Sequence, residues 1–214
     1  MNRPKTLLAL ASTLFLAGCG AGEPAGPSAL RQSCGSDVNL MVNGGFVREE
    51  DGTLQPWRAG QHAGENSFRY DVADGVLTIE RIASQPWYYF VQDIDVSELK
   101  GHRLYYSADL KLNLSGEGYN EVWEPGGGLH VLIWGLVGPA IAGSRQIFNS
   151  TFEHEPHIGT TDWFTPEISF VVPDNASAMK VGFEQRADGS MAARNPVLLD
   201  CGPAEAGTEA TPDA

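Results

Sequence analysis

The chain has 214 residues, with 27 Asp or Glu against 14 Lys or Arg, so its formal net charge is −13 at pH 7. Because so acidic a surface repels phosphate backbones, we expect no nucleic acid among its partners. The sequence has no basic patch, aromatic RNA-binding motif or zinc-finger spacing that would indicate a nucleic-acid partner.

The N-terminus has the organisation of a secretory signal. Arg3 and Lys5 form a short basic start, and residues 7–17 form an apolar run broken only by Ser12 and Thr13. The run is far shorter than the roughly 20 residues that a membrane-spanning helix needs. The segment therefore predicts export of the protein and not a transmembrane anchor.

The end of this segment resembles a bacterial lipobox. It reads Leu-Ala-Gly-Cys up to Cys19, and in lipoboxes that cysteine is diacylated and becomes the new N-terminus. The resemblance implies that residues 1–18 are a lipoprotein signal peptide and that lipid on Cys19 holds the protein on a membrane surface. Gly20 after the cysteine implies sorting to the outer membrane, if the organism has one. The alternative is an ordinary secretory signal with a cysteine near its end.

The mature chain divides into a tether, one folded domain and a tail. Residues 19–33 contain the lipidated cysteine and a stretch rich in Gly, Ala and Pro, which is typical of a flexible tether. Residues 34–201, about 168 in number, are enough for one domain with a substantial core. Residues 202–214 have no apolar periodicity and are predicted to form a disordered acidic tail.

Two cysteines remain at the ends of the predicted domain. Export places them in a compartment that permits disulfides, and with Cys19 lipidated, Cys34 and Cys201 allow only one intramolecular pair. That pair would bring the two ends of the domain together. The alternative is two separate thiols.

The folded region has the patterns of β-structure throughout. From residue 104 to residue 113 apolar and polar residues alternate, which is typical of a half-buried strand. Turn residues such as Asn43-Gly44-Gly45 separate further predicted strands. These strands span residues 38–42, 68–72, 76–82, 88–96, 129–137, 167–172, 179–184 and 197–200. Many short strands without a helical stripe predict an all-β protein with a single jelly-roll β-sandwich.

Several motifs, in the same order along the chain, resemble the galactose-binding-like jelly rolls. Residues 39–46, Asn-Leu-Met-Val-Asn-Gly-Gly-Phe, with Trp57 shortly after them resemble the opening of that pattern. Val91-Gln92 and the strand at 104–113 resemble its middle, and residues 162–183 its last third. In these motifs the chain resembles the carbohydrate-binding modules of bacterial xylanases and cellulases. It covers residues 38–200 and implies a fold and a sugar-binding function of that kind.

Many such modules hold a structural calcium ion, and the resemblance raises the question of one here. The family has an acidic residue where this chain has Val47, and an aspartate pair where it has Arg194-Asn195-Pro196. Calcium takes about six to eight oxygen ligands. The candidate ligands are Glu49, Glu50 and Asp200, together with backbone carbonyls. We therefore expect either one structural calcium ion or no cofactor.

Sugar rings are recognised by aromatic faces that stack on them and by polar groups that hydrogen-bond their hydroxyls. The candidate carbohydrate-binding residues are Trp87, Tyr89, Gln92, Trp123, His130 and Trp134. Gln92 corresponds, by the resemblance, to a strand glutamine whose amide faces the binding groove. Because His130 and Trp134 alternate with apolar residues in one strand, one of its two faces must leave the core. Trp57, Trp163 and one of Trp87 or Trp134 are expected inside the core.

These observations favour a surface-anchored, non-catalytic carbohydrate-binding lipoprotein that holds a polysaccharide or cell-wall glycan. The alternative is a structural or interaction lipoprotein of the bacterial envelope that binds a protein partner with the same fold. We predict no catalytic residue. The titratable cluster at residues 153–157 contains Pro156, so no helix places its two histidines on one face as a zincin motif requires. We interpret that cluster as solvated loop charge.

Overall fold

The computed structural model of the chain describes residues 28–62, 64–117, 124–136, 144–150 and 157–204, and only the backbone of 144–150. The predicted signal peptide, Cys19 and Trp123 lie outside the described residues. Within those residues, no helix has the length and apolar character needed to cross a membrane.

The described residues form one short helix and a series of strands. The helix α1 spans Ala29–Gln32. The strands are β1 Arg58–Gln61, β2 Phe68–Ala73, β3 Val76–Arg81, β4 Tyr88–Ile94, β5 His102–Ser115, β6 Gly127–Leu136, β7 Ser144–Ser150, β8 Gly159–Thr160, β9 Glu167–Val171, β10 Ala176–Gln185 and β11 Asp188–Pro203.

The strands form two antiparallel sheets that share one core. The five-stranded sheet has the order β1-β4-β10-β6-β7, and the six-stranded sheet has the order β2-β3-β11-β5-β8, with β9 also paired to β5. The chain crosses repeatedly from one sheet to the other, for example between β5 and β6 and between β10 and β11. The predicted all-β jelly-roll sandwich is therefore confirmed.

Alternation along the strands decides which side chains form the core. The inward residues of β5 are the ones that the sequence pattern predicts: Leu104, Tyr106, Ala108, Leu110 and Leu112. The five-stranded sheet contributes alternate residues of β4, β6 and β10, among them Phe90, Val131, Ile133, Val181 and Phe183. Because successive side chains of a strand point to opposite faces, the residues between these lie on the outer faces of the sandwich.

Trp57 and Trp163, which are both expected in the core, have different environments. The Trp57 ring stacks on Phe90 with the ring centroids 5.3 Å apart, and its Nε1 donates a 2.9 Å hydrogen bond to the carbonyl of Asn43. The core position of Trp57 is therefore confirmed. Trp163 is only half-buried, and it lies on the outer face of the six-stranded sheet, where the Arg194 guanidinium covers its ring at 4.1 Å. The expectation for Trp163 is wrong because a cation, and not the core, covers the ring.

The first predicted strand, at residues 38–42, is wrong. Asn39 makes a single antiparallel bridge to Leu199, and the side chains of Val38 and Val42 are exposed. The Asn39 side chain instead accepts a hydrogen bond from the backbone N–H of Leu198 and donates one to the carbonyl of Pro196. Side-chain bonds of this kind attach the segment to β11 without a strand ladder.

Other differences lie at edges and boundaries. The sequence did not predict β1, β7 or β8, and it predicted only the last part of β11. Strand β1 reads Arg-Ala-Gly-Gln and has no apolar alternation to detect. The helix α1 lies within the predicted tether, and β11 extends to Pro203, two residues into the predicted tail.

The disulfide between Cys34 and Cys201 is present, as predicted. It joins positions separated by 167 residues in the sequence. Cys34 packs with Tyr105 and Leu199 in a small buried cluster beside the main core. The two ends of the folded domain are therefore held together covalently.

Candidate functional site

The outer face of the five-stranded sheet carries the main candidate site. Strand pairing places Gly182 of β10 between Val91 of β4 and His130 of β6, and Glu184 beside Tyr89. The inward residues of these strands alternate with this set, so the set faces outward. We call this surface of the five-stranded sheet the outer face. Its aromatic and titratable residues are Arg58, Trp87, Tyr89, Asp93, His130, Trp134, Lys180, Glu184 and Arg186.

Three rings of this surface form a stacked row. The rings of Trp87 and Tyr89 are 5.5 Å apart at an interplanar angle of 12°, and those of Tyr89 and His130 are 6.2 Å apart at 5°. The Tyr89 phenol lies over Gly60 of β1, where an added Cβ would clash with the ring. Gly60 therefore leaves room for the ring to lie across the neighbouring strand.

Lys180 joins the two aromatic parts of the outer face. Its Nζ lies 5.8 Å from the ring centroid of Tyr89 and 6.0 Å from that of Trp134. The same ammonium contacts Asp93 Oδ1 at 3.0 Å, and Arg58 Nε lies 3.4 Å from Asp93 Oδ2. One carboxylate is therefore shared by two cations beside the aromatic rings.

A buried charged cluster lies next to Tyr89. Glu184 Oε1 accepts a 2.6 Å hydrogen bond from Arg186 Nε, and its Oε2 lies 2.9 Å from His130 Nδ1. All three residues are at most 6% exposed. Burial alone raises the pKa of Glu184, but the contact with His130 and the charge of Arg186 outweigh it and hold the pKa below its usual value. Glu184 is therefore a carboxylate near neutral pH.

The other nitrogen of His130 has no such contact. The side chain is 5% exposed, and its Nε2 has no hydrogen-bond partner among the described residues. Buried polar atoms in proteins are nearly always hydrogen-bonded. Since Nδ1 faces Glu184 at 2.9 Å, Nε2 is the nitrogen of this ring that has no polar contact among the described residues.

Four of the predicted binding residues come together on the outer face: Trp87, Tyr89, His130 and Trp134. Gln92 does not, and its predicted role is wrong. It is 1% exposed on the inner side of β4, where its side-chain oxygen accepts a hydrogen bond from the N–H of Val42 and its side-chain nitrogen donates one to the Val42 carbonyl. The amide is thus used to attach the segment before β1, and it is not available to a ligand.

Sequence reasoning missed the charged residues of the outer face. Lys180 and Glu184 stand at alternate positions of β10, opposite the core residues Met179, Val181 and Phe183. That alternation was a usable signal for an outward-facing pair. Their partners Asp93 and His130 lie in other strands, so the contacts themselves had no local signal.

The three predicted calcium ligands are not grouped as a cluster of acidic side chains. Among the described residues, no group of three or more His, Cys, Asp or Glu side chains is placed to hold a metal ion. Both carboxylate oxygens of Asp200 lie within 3.0 Å of His102 Nδ1. In the opening loop, Asn43 Nδ2 donates hydrogen bonds to the carbonyls of Val47 and Gln55. Glu49, Glu50 and Asp200 therefore do not make a metal site by themselves, and a calcium ion held partly by backbone carbonyls stays a prediction.

A cavity of about 1130 Å³ opens beside α1 on the side of the six-stranded sheet that faces away from the core. Its polar groups bind one another: the Tyr105 hydroxyl donates to Glu167, and Asp109 accepts from Thr165, Arg194 and Asn195. Its tryptophan, Trp163, is covered by Arg194. This cavity is therefore the weaker candidate, since the polar atoms of Tyr105, Asp109 and Glu167 already have partners.

No protein-family model matches the sequence, and no curated protein matches it. Among solved structures, the chain is similar to a CBM4 structure, with 19% identity and a TM-score of 0.48 over 74% of this chain and 98% of that one. The CBM22-1 xylan-binding domain from Paenibacillus barcinonensis Xyn10C matches at 10% identity and a TM-score of 0.46, over 78% of this chain and 97% of that one.

The enzymatically active domain of bacteriophage CBA120 tailspike protein 4 matches at 16% identity and a TM-score of 0.45 over 76% of this chain. This chain spans only 21% of that tailspike chain. The neighbours thus include carbohydrate-binding modules, the class that the sequence motifs resemble. Likenesses of this strength carry no argument about ligand or activity.

Proposed function

We propose that the protein is a non-catalytic carbohydrate-binding lipoprotein that holds a polysaccharide on the outer face. One observation carries the proposal: the half-buried rings of Trp87, Tyr89 and Trp134 lie on the same face as His130, whose buried Nε2 has no hydrogen-bond partner among the described residues. Aromatic surface with a few placed polar atoms is the usual composition of a small-molecule site. Such rings offer flat apolar faces to a sugar, and the imidazole offers a hydrogen bond to a hydroxyl.

The same residues argue for binding without catalysis. A glycosidase needs one carboxylic acid with a raised pKa to protonate the leaving oxygen. Glu184 has a lowered pKa because His130 and Arg186 outweigh the effect of burial. The other carboxylate of the outer face, Asp93, is paired with Lys180 and Arg58. Neither group has the properties of a general acid.

The aromatic residues give the first test. We expect the purified protein to be retarded in gels that contain its polysaccharide, and Tyr89→Ala or Trp134→Ala to weaken that binding about tenfold each, since each removes a stacking surface worth roughly 1–2 kcal/mol. The measurement is affinity electrophoresis against plant, algal and bacterial polysaccharides, with each lane repeated in EDTA to detect any contribution of calcium.

Trp163→Ala is the matched control, because Trp163 is also a half-buried aromatic residue but lies on the other sheet. It should bind as the unmodified protein does. Retardation that Trp163→Ala abolishes and Tyr89→Ala leaves intact would move the site to the six-stranded sheet. If no polysaccharide retards the protein, the proposal fails and a protein partner in the envelope becomes the better hypothesis.

The proposed anchor is lipid on Cys19, in the outer membrane where the organism has one. The 14 residues between Cys19 and Cys34 reach at most about 45–50 Å when extended, so the domain would stay close to the membrane surface. We expect Cys19→Ser to abolish metabolic labelling with palmitate and to move the protein from the membrane fraction to the soluble fraction. Cys34→Ser, which leaves Cys19 in place, should still be labelled. Labelling that survives Cys19→Ser would contradict the anchor.

A further inference from the structure

We infer that the protein has a second carbohydrate site, a cavity between the edges of the two sheets that takes one neutral sugar unit at the end of a glycan. The cavity has a volume of about 480 Å³ and is lined by residues of β1 and β2. These are the edge strands of the five-stranded and the six-stranded sheet. The inference does not depend on the site proposed on the outer face.

The sandwich is open to water at this edge. Ala59 of β1 pairs with the core residue Phe90, so its side chain lies on the inner side of the sheet, and yet Ala59 is exposed. In β2, the Tyr70 ring packs on Phe90 with the ring centroids 5.0 Å apart, but Tyr70 is 36% exposed. A ligand can therefore reach an aromatic ring between the two sheets directly from solvent.

A buried tyrosine without a hydrogen-bond partner lines the cavity. Tyr88 is 4% exposed and its ring stacks on Phe68 at 5.2 Å, but its hydroxyl makes no hydrogen bond among the described residues. The buried hydroxyls of Tyr105 and Tyr106, by contrast, each donate one. Burial and the neighbouring Tyr70 raise the pKa of Tyr88, so its hydroxyl keeps its proton and can donate it. Because buried polar atoms are nearly always hydrogen-bonded, this hydroxyl indicates a polar ligand in the cavity.

The lining favours a neutral ligand that has both hydroxyl groups and an apolar face. Among the described residues that line the cavity, only Arg69 has a permanent charge, and its Nε and Nη2 both donate to Glu80 Oε2. Asn66 also lines the cavity and is exposed, and its amide can donate and accept as the Tyr88 hydroxyl can. A sugar ring complements such polar groups with its hydroxyls and the Tyr70 ring with its C–H face. The volume lies within the range of known small-molecule sites, about 300–1000 Å³.

The test is an NMR titration of the ¹⁵N-labelled protein with the methyl glycosides of glucose, galactose, mannose, xylose and arabinose. We expect at least one glycoside to bind and to shift the backbone amide signals of β1 and β2. Tyr88→Phe should lower its affinity about three- to tenfold, because one hydrogen bond to the ligand is lost. The same variant should keep its Tm, because the hydroxyl has no partner among the described residues. Ala59→Trp should abolish binding, because the added ring fills the exposed mouth of the cavity.

Each variant has a matched control. Tyr105→Phe removes the hydroxyl of another buried tyrosine, which lies in β5 and does not line this cavity. Ala73→Trp adds the same ring as Ala59→Trp at another exposed alanine, the last residue of β2, which also lies outside the lining. Both controls should bind the glycoside as the unmodified protein does.

The outcomes separate this cavity from the site on the outer face. Glycoside binding that survives Trp134→Ala and is lost in Ala59→Trp belongs to the cavity, whereas the reverse result would place it on the outer face and overturn the inference. Absence of binding by every glycoside would also overturn it, as would binding of indole in their place, which would make the ligand an apolar one. Polysaccharide retardation that is lost in Trp134→Ala but kept in Ala59→Trp would support the proposed function whatever the titration shows.

Discussion

Glu184→Ala should lower the free energy of unfolding by about 3–5 kcal/mol, because it leaves the charge of Arg186 and the polar ring of His130 buried without the carboxylate between them. The measurement is equilibrium unfolding in urea. Glu80→Ala is the control: Glu80 makes a 2.6 Å ion pair with Arg69 within its own sheet, but both side chains are largely exposed to water. Its loss should cost less than about 1 kcal/mol.

The pH dependence of unfolding shows whether the effect is that of charge and not of lost packing. Burial raises the pKa of Glu184, but His130 and Arg186 more than reverse this, so the folded pKa lies below the ordinary value of 4.5. In acid the unfolded carboxyl binds its proton first. The stabilisation is therefore fully present above about pH 4.5 and is lost as the pH falls through the lower folded pKa. Glu184→Gln should flatten the fall in Tm below pH 4.5, and a parallel fall would argue against the ion pair.

Removal of the disulfide should have an effect of similar size. The bridge closes a loop of 167 residues, and in the chain-entropy account a loop of that length stabilises the folded protein by about 4–5 kcal/mol. The double variant Cys34→Ala/Cys201→Ala should therefore unfold at a much lower urea concentration than the oxidised protein. Unmodified protein treated with dithiothreitol should match the variant. Equal urea midpoints with and without reductant would contradict the prediction.

The Glu184 variants and the disulfide variant have different expected consequences for binding. Glu184 lies next to the proposed site, whereas the disulfide lies at the two ends of the folded domain. The disulfide packs with Tyr105 and Leu199, on the six-stranded sheet. Glu184 contacts His130 Nδ1 at 2.9 Å and lies beside Tyr89 in the five-stranded sheet. We therefore expect the oxidation state of the bridge to change stability without changing affinity at temperatures where the domain stays folded. Substitution of Glu184 should change both.

Gln92 illustrates where sequence reasoning failed within a correctly predicted strand. The pattern of β4 alternates Tyr88, Phe90 and Gln92 with Tyr89, Val91 and Asp93, and each set contains large apolar residues. Periodicity alone could not decide which set faces the core. Pairing with β10 and packing against the other sheet decided it, and they placed Gln92 inward, against the backbone of Val42.

The sequence by itself determined the features that depend on neighbouring residues. Alternation along β5 predicted the all-β sandwich, and the isolated cysteines predicted their pairing. Tertiary structure decided which faces meet and which charges touch: Lys180 reaches Asp93, 87 residues away, and Arg194 covers Trp163. The physical reason is that the pleat of a strand is local, so it can be read from a few residues. Register between strands is non-local, because it is set by the packing of the whole sandwich.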